Sequence, residues 1–402
     1  MRQKKILENL LQLARSPYSI FILIRAFSII ASLSILRIIL DQFSLLDFAQ
    51  VQKQFGLISI LFWFADFGML NYAIILFSEN KSKHDLREVL STRFWTILIC
   101  SSVYFAFQYF LENDFGLQVL ICALFFDLYT DGLNGFRQIA ASVKYSITST
   151  LVKKFTQLAL ILLILKFNQA LSLIDYAAAF TIPSLLVFYL DFRRFQFTMR
   201  HFQIAFLVRS KKLWFQSGGT SLASFDIPIL IAFNALSVIP IFVVSRKISN
   251  ALGIFGSTLV PHSMRDAAGS HVTTRNMLNN VFSLSFLVFC LCIPIGLFSE
   301  RILSNVFNLE GSTENLSVFL VVLATIPIGI ITSNLNAVLI STNRAGLAAA
   351  STYASSSIYL ATICIGCILN HPYLALSFAV VLNLLTEYSI QRFFLREELK
   401  NE

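Results

Sequence analysis

Three stretches of this chain contain no Asp, Glu, Lys or Arg: Asn276–Ser299 over 24 residues, Asn315–Asn343 over 29, and Ala345–Thr386 over 42. About 20 mainly apolar residues cross a bilayer as a helix. Hydrocarbon offers no water to backbone N–H and C=O groups, so only helices and closed barrels span it. Barrels need short segments of alternating polarity, whereas these runs are continuously apolar. The chain is therefore expected to be an all-α, polytopic membrane protein. Composition agrees: 13% of the 402 residues are charged, against roughly 25% in soluble domains.

Hydrophobicity predicts twelve transmembrane helices, at 17–40, 54–77, 93–111, 116–136, 147–167, 171–190, 213–233, 238–260, 279–298, 316–340, 346–369 and 373–391. Lys and Arg collect in the loops that bias toward the cytoplasm. With both termini cytoplasmic, 24 of the 31 basic residues fall on the inner side and 3 (Lys53, Lys166 and Arg301) on the outer side. The other 4, Arg25, Arg37, Arg246 and Lys247, lie within helices. An odd number of spans would destroy that asymmetry. The net charge of +9 is thus explained by membrane topology, and nucleic acid is not an expected partner.

The predicted organisation is an amphipathic cytoplasmic N-terminus (1–16), an N-lobe of helices 1–6 (17–190), a basic cytoplasmic linker (191–212), a C-lobe of helices 7–12 (213–391) and a cytoplasmic tail (392–402). Met1–Arg15 has the pattern of a helix lying on the membrane surface, and the basic, aromatic linker suits anionic lipid. A 6+6 division is common in transporters built as two bundles around a central cavity.

The six cysteines all fall inside predicted spans, and the Cys364–Cys367 spacing, lacking a neighbouring His or Asp, reads as packing. There is no GxxxxGK[ST], HExxH or GxSxG motif. His84, His201, His262 and His271 fall in predicted cytoplasmic segments and His371 at an outer turn, without a catalytic cluster. No cofactor, no metal and no enzymatic activity are expected.

A charge near the bilayer centre costs about 2.5–3.5 kcal/mol on insertion scales, so such residues face a bundle interior or a wet cavity. At about 1.5 Å per residue, Arg25 and Asp66 reach similar depths in the first two helices, and Asp226 and Arg246 in the seventh and eighth. Each acid can be a structural ion-pair partner, while Arg25 and Arg246 are candidates for binding substrate in the cavity. Lys247 points about 100° away from Arg246, and Arg37 lies near the outer end. Asp127 and Asp131, at i and i+4, share a helix face that Asn134 extends. They are either an ion-coupling site, since paired carboxylates raise one another's pKa, or the wall of a wet groove. Glu387 is a further charge in the twelfth helix.

Ser217–Ser221, Ser224, Asp226 and Pro228 make the seventh helix small and breakable. Pro228 cannot donate to the Ser224 carbonyl, which predicts a bend. Close packing through small residues is the other reading. Pro183, Pro294 and Pro327 also lie within spans, and Ala348–Ser351 and Ser355–Ser357 read as packing surfaces.

Residues 36–75 (LRIILDQFSLLDFAQVQKQFGLISILFWFADFGMLNYAII) resemble the first-to-second-helix pattern of bacterial polysaccharide repeat-unit flippases. Arg37, Phe48, Asp66, Phe67 and Gly68 match it, while Asp41, Gln42 and Ala49 depart from its Gly-Pro and second Gly. Asp226, Ser245, Arg246 and Pro261, then Phe319–Ala345 with its late asparagines, are similar to the family's second half. The resemblance is to the O-antigen (Wzx-type) flippases of the multidrug/oligosaccharidyl-lipid/polysaccharide exporter superfamily, and it runs over nearly the whole chain. It implies alternating-access translocation of undecaprenyl-diphosphate-linked oligosaccharide across the bacterial inner membrane, with membrane lipids, a polysaccharide polymerase and chain-length machinery as partners. Arg25, Arg246, Lys247 and Arg37 would then be cavity cations, and Asp127, Asp131, Asp226 and Asp66 coupling or cavity acids. The first rival is a cation-coupled drug or metabolite exporter of the same superfamily, which a cavity dominated by acids would favour. The second is a membrane-embedded polymerase or ligase, and the short outer loops oppose it.

Overall fold

The computed structural model describes residues 17–78, 83–111, 115–195, 202–257, 274–341 and 344–395. The expected surface helix Met1–Arg15, the tail past Leu395, Pro261, His201, His262 and His271 lie outside them, as do the side chains of Arg25, His84, Ser217 and Thr220. Among the described residues every regular element is helical.

The first half contains α1 (Pro17–Gln42), α2 (Leu45–Asp66), α3 (Met69–Ser78), α4 (Lys83–Leu111), α5 (Phe115–Gly132), α6 (Asn134–Ala140), α7 (Val143–Asn168) and α8 (Leu173–Phe195). The second contains α9 (Ile204–Leu222), α10 (Asp226–Ala232), α11 (Ile239–Ser257), α12 (Thr274–Leu297), α13 (Thr313–Ser341), α14 (Ala345–Ile368) and α15 (Pro372–Leu395). Taken in order, with α2–α3, α5–α6 and α9–α10 each one passage, they match the twelve expected spans. Eight helices are individually long and apolar enough to cross a membrane, or ten if the two bent pairs count as single spans.

Polar caps set the turns. Ser44 caps α2 by accepting from Asp47 N at 3.2 Å, Ser142 caps α7 by accepting from Tyr145 N at 3.1 Å, and Ser172 with Asp175 forms a reciprocal cap at the start of α8. Gln169, Asn234, Asn308 and Asn370 take left-handed backbone angles at four turns on the predicted outer side. Asn tolerates that conformation better than most residues.

Three expected boundaries change. The second span is not one straight helix. It starts at Leu45, and Phe67 and Gly68 (φ 48° and 68°) break it between α2 and α3, with a bend of 51°. The fourth pauses at Leu133. Much of the expected 191–212 linker is helical, because α8 runs to Phe195 and α9 begins at Ile204. Its amphipathic ends give each helix additional turns beyond the apolar stretch, which a hydropathy window truncates. The seventh passage is interrupted before Pro228 by a 3₁₀ turn at Ala223–Phe225. Pro228 then sits in the first turn of α10, where a missing N–H removes no helical bond.

Within the first half, α1 packs on α7, α5 and α7 on α8, and α2 on α4. In the second, α9 packs on α14, α11 on α13, and α13 and α14 on α15. The seam between them is α2 against α9, α10 and their linking turn, with α11 touching α1 and α2. Glycine makes that approach possible. A Cβ on Gly56 would lie 2.6 Å from the Ser224 carbonyl oxygen, and one on Gly68 would lie 2.4 Å from Trp214 N. Trp63 donates its indole N–H to the Trp214 carbonyl at 2.9 Å, and the two rings stack with centroids 5.3 Å apart. At the predicted outer end, Arg37 pairs with Asp41 at 2.6 Å and donates to the Val306 carbonyl at 2.8 Å. Arg37, expected near the outer end, thus joins the first helix to the second half.

Candidate functional site

The intramembrane charges separate into two kinds. Those packed between helices of the first half are paired, and their cations are enclosed, although Asp131 is itself 37% exposed. Lys153 Nζ, on α7, lies 2.8 Å from Asp127 Oδ1 and 2.7 Å from Asp131 Oδ1, both on α5. It also donates to the Thr130 hydroxyl at 2.8 Å, while Gln157 and Ser184 donate to Asp127 at 3.1 and 3.0 Å. The i, i+4 spacing of the two acids puts both within reach of one ammonium. Asp66 pairs with Arg93 on α4, whose guanidinium lies over the rings of Phe62 and Tyr129. The expected meeting of Asp66 with Arg25 falls outside the described side chains. Arg137 forks onto Asp191, and its third nitrogen donates to Asn134 Oδ1 at 2.7 Å, so Asn134 serves that arginine. Arg93, Arg137 and Lys153, counted with the cytoplasmic segments and adjoining helix ends, are fully buried. The signal that could have located them is arithmetic: several intramembrane acids need as many cations near the same depth.

The second half is different. Arg246 Nη1 pairs with Asp226 Oδ2 at 2.8 Å, as their depths predicted. Asp226 is further held by the Tyr359 hydroxyl at 3.0 Å and by the Ile227 N–H at 2.7 Å. Its side chain is 2% exposed, whereas that of Arg246 is 41% exposed. Three bonds fix the acid, while the Arg246 side chain stays partly open. The restart of the helix at Asp226 supplies the Ile227 N–H, since the first turn leaves its amides unpaired.

Two cavities meet at this pair. A cavity of 130 Å³ lies on the seam, lined by Gln52, Phe55 and Ser59 of α2 and by Asp226, Arg246 and Lys247. A larger one, 490 Å³, lies within the second half between α11, α13, α14 and α15. Lys247 is exposed to the seam cavity with its ammonium 5.9 Å from the Phe55 ring centroid. It lies within electrostatic range of Lys154, Asp127, Asp131 and Arg246, so the seam brings the charges of both halves together. A third cavity of 290 Å³, between α4, α5 and α8, is almost wholly apolar and touches none of the ion pairs except through Tyr129. Glu387 bonds to Gln391 at 3.0 Å on α15. Among the described residues no cluster of His, Cys, Asp and Glu could hold a metal ion.

Gly218 and Gly219 serve close packing: a Cβ on Gly218 would meet Tyr353 and Trp63, and one on Gly219 would meet Thr352. Ser356 donates to the Gly219 carbonyl at 2.6 Å. The Ser355–Ser357 stretch is thus a packing surface, as expected.

No protein-family model and no curated protein sequence matches the chain. Solved structures do. The fold is that of the lipid II flippase and the MATE transporters. The chain is similar to the lipid II flippase MurJ in an inward closed conformation, at 13% identity over 94% of this chain and 87% of that one, with a TM-score of 0.67. It is similar to the MATE multidrug transporter DinF-BH in complex with rhodamine 6G, at 16% identity over 96% and 95%, with a TM-score of 0.71. A Vibrio cholerae MATE transporter, VcmN, matches at 13% identity over 96% and 98%, with a TM-score of 0.67. The expected twelve-helix membrane architecture therefore stands on both the helices and these neighbours.

Proposed function

We propose that this protein is a flippase that carries a diphosphate-linked lipid oligosaccharide from the inner to the outer leaflet of a bacterial cytoplasmic membrane. In this reading residues 17–190 and 213–391 form two lobes that rock about the seam. The observation that carries the proposal is the asymmetry of the Asp226–Arg246 pair: the acid is enclosed and the cation is open to two cavities. Lys247 adds a second positive charge on the same wall. Such a wall suits an anion. Arg meets a phosphate through two parallel N–H donors, which Lys cannot do. A unit charge pair at 4 Å is worth about 4 kcal/mol at an effective dielectric near 20, which offsets part of the head group's desolvation. The prenyl tail can remain in lipid while the head group crosses. Polymerase and chain-length machinery would then take up the product.

The rival reading, a cation-coupled drug exporter, draws on the likeness to transporters such as DinF-BH, whose structure holds rhodamine 6G. The charges argue against it here. Asp66, Asp127, Asp131 and Asp226 each already hold a cation of the protein itself. An organic cation would have to displace Lys153, Arg93 or Arg246 from its partner.

The test uses proteoliposomes carrying either a fluorescent undecaprenyl-diphosphate oligosaccharide or rhodamine 6G. The wild type is expected to translocate the lipid, with Arg246→Ala losing the activity and Arg246→Lys recovering part of it. Transport of rhodamine 6G alone, or full lipid activity in Arg246→Ala, would remove the proposal.

A further inference from the structure

We infer that the 490 Å³ cavity inside the second half is a binding pocket for the uncharged, hydroxyl-rich sugar part of the substrate. This rests on the flippase reading above, because it places the sugar beside a diphosphate held at Arg246. Three observations carry it.

The first is position and size. The cavity shares Asp226, Arg246 and Asn250 with the seam cavity, so one ligand can extend from the guanidinium into both. Its volume falls within the roughly 300–1,000 Å³ usual for small-ligand pockets.

The second is the chemistry of the wall. Besides the paired Asp226 and Arg246, its polar lining is neutral: Ser249, Asn250, Thr325, Ser333, Tyr359 and Asn383. Between these groups stand aliphatic side chains such as Ile326 and Leu384. A second ion placed there would lose its hydration without gaining a counter-charge. A prenyl tail would cover amides and hydroxyls without bonding them. A sugar presents hydroxyls around its edge and C–H faces above and below, and matches both parts of the wall. Asn383 adds an amide to this wall beside Leu384.

The third is glycine placement. Gly253 and Gly329 line the cavity from within helices, where glycine is less stable than alanine. Packing does not require either one. Among the described residues, a Cβ on Gly253 would meet nothing within 4 Å, and one on Gly329 would meet only Leu384 Cδ2, at 3.9 Å. The missing side chains therefore add volume to the cavity, in contrast to Gly218 and Gly219, whose neighbours leave no room for a Cβ.

The experiment measures binding by native mass spectrometry on the purified full chain in detergent. Two probes are compared: undecaprenyl diphosphate, and undecaprenyl diphosphate bearing a disaccharide. The wild type is expected to bind the glycosylated probe about tenfold more tightly. Gly253→Leu and Gly329→Leu, which push a side chain into the cavity, should lower that affinity to the wild-type value for the bare lipid. Gly346→Leu, also in open space but away from the cavity, should keep the preference. If thermal unfolding shows that either leucine variant does not fold, Asn383→Ala is read in its place, with the same loss expected. Equal binding of both probes by the wild type overturns the sugar pocket and leaves the flippase reading standing, as does a preference that survives the cavity variants. Failure of the wild type to bind either probe overturns both.

Discussion

At the residue scale, a charged side chain in this protein is defined by how much of it stays open after pairing. Lys153 holds two carboxylates and is enclosed. Removing one member of a buried pair costs about 3–5 kcal/mol, because the other is left desolvated and alone. Lys153→Met is therefore expected to lower the thermal midpoint in detergent sharply, and a midpoint equal to wild type would contradict the buried network. The double substitution Asp127→Asn with Asp131→Asn should also destabilise. If these acids are structural, translocation by the surviving folded protein keeps whatever response to a pH gradient the wild type shows. Loss of that response alone, with stability unchanged, would make them the coupling site. Arg246 lies at the other extreme. Asp226→Asn keeps a side chain able to bond Tyr359 and Ile227 N–H while releasing the guanidinium. It is expected to bind undecaprenyl diphosphate at least as tightly as wild type.

At the element scale, the seam depends on two interrupted helices. The break at Phe67–Gly68 turns α3 away from α2, and a 3₁₀ turn at Ala223–Phe225 separates α9 from α10. Both breaks place backbone against backbone, with glycine opposite: Gly68 faces Trp214, and Gly56 faces Ser224. Gly68 also has φ of 68°, a region that costs a residue with a Cβ about 1–2 kcal/mol. Gly68→Ala is thus strained twice. Its expected effect is a lower thermal midpoint together with a change in tryptophan emission, since Trp63 and Trp214 stack beside it. Gly346→Ala, with open space around the new Cβ, serves as the comparison and should leave both signals in place.

At the scale of the whole molecule, the two halves are joined at both ends of the seam. Arg37 reaches the Val306 carbonyl at one end, and the Trp63–Trp214 stack closes the other. Alternating access requires at least one of these contacts to open. In a cysteine-free background, Trp63→Cys with Trp214→Cys, bridged by a short bifunctional maleimide, should arrest lipid translocation. Unimpaired transport in the bridged protein would exclude movement at this contact. Topology is tested with reporter fusions: fusions after Arg200 and at Lys400 are expected in the cytoplasm, and one near Glu310 on the outer face.

Much of this was legible in the sequence because the bilayer imposes one-dimensional rules. Apolar length locates a span, and serine or asparagine beside it locates the turn, which is why twelve passages could be read without a structure. The Asp226–Arg246 pair was legible for a related reason. Its residues lie on consecutive helices joined by a short turn, so depth alone brings them together. Asp66 shows where depth is not enough: its pairing with Arg93 depends on how the helices pack, which depth does not give. Arg137 and Tyr359 escaped because each meets its partner on a helix that is not the next passage in the chain; Lys153 lies on the passage next to its acids and escaped because it was counted with the cytoplasmic side. The amino-acid sequence by itself determined the helical class and the order of the passages, because these follow from local hydrophobicity and rise per residue. Tertiary structure alone decided which charges are sealed and which face a cavity, because that depends on the rotation and neighbours of every helix, and depth along the chain carries neither.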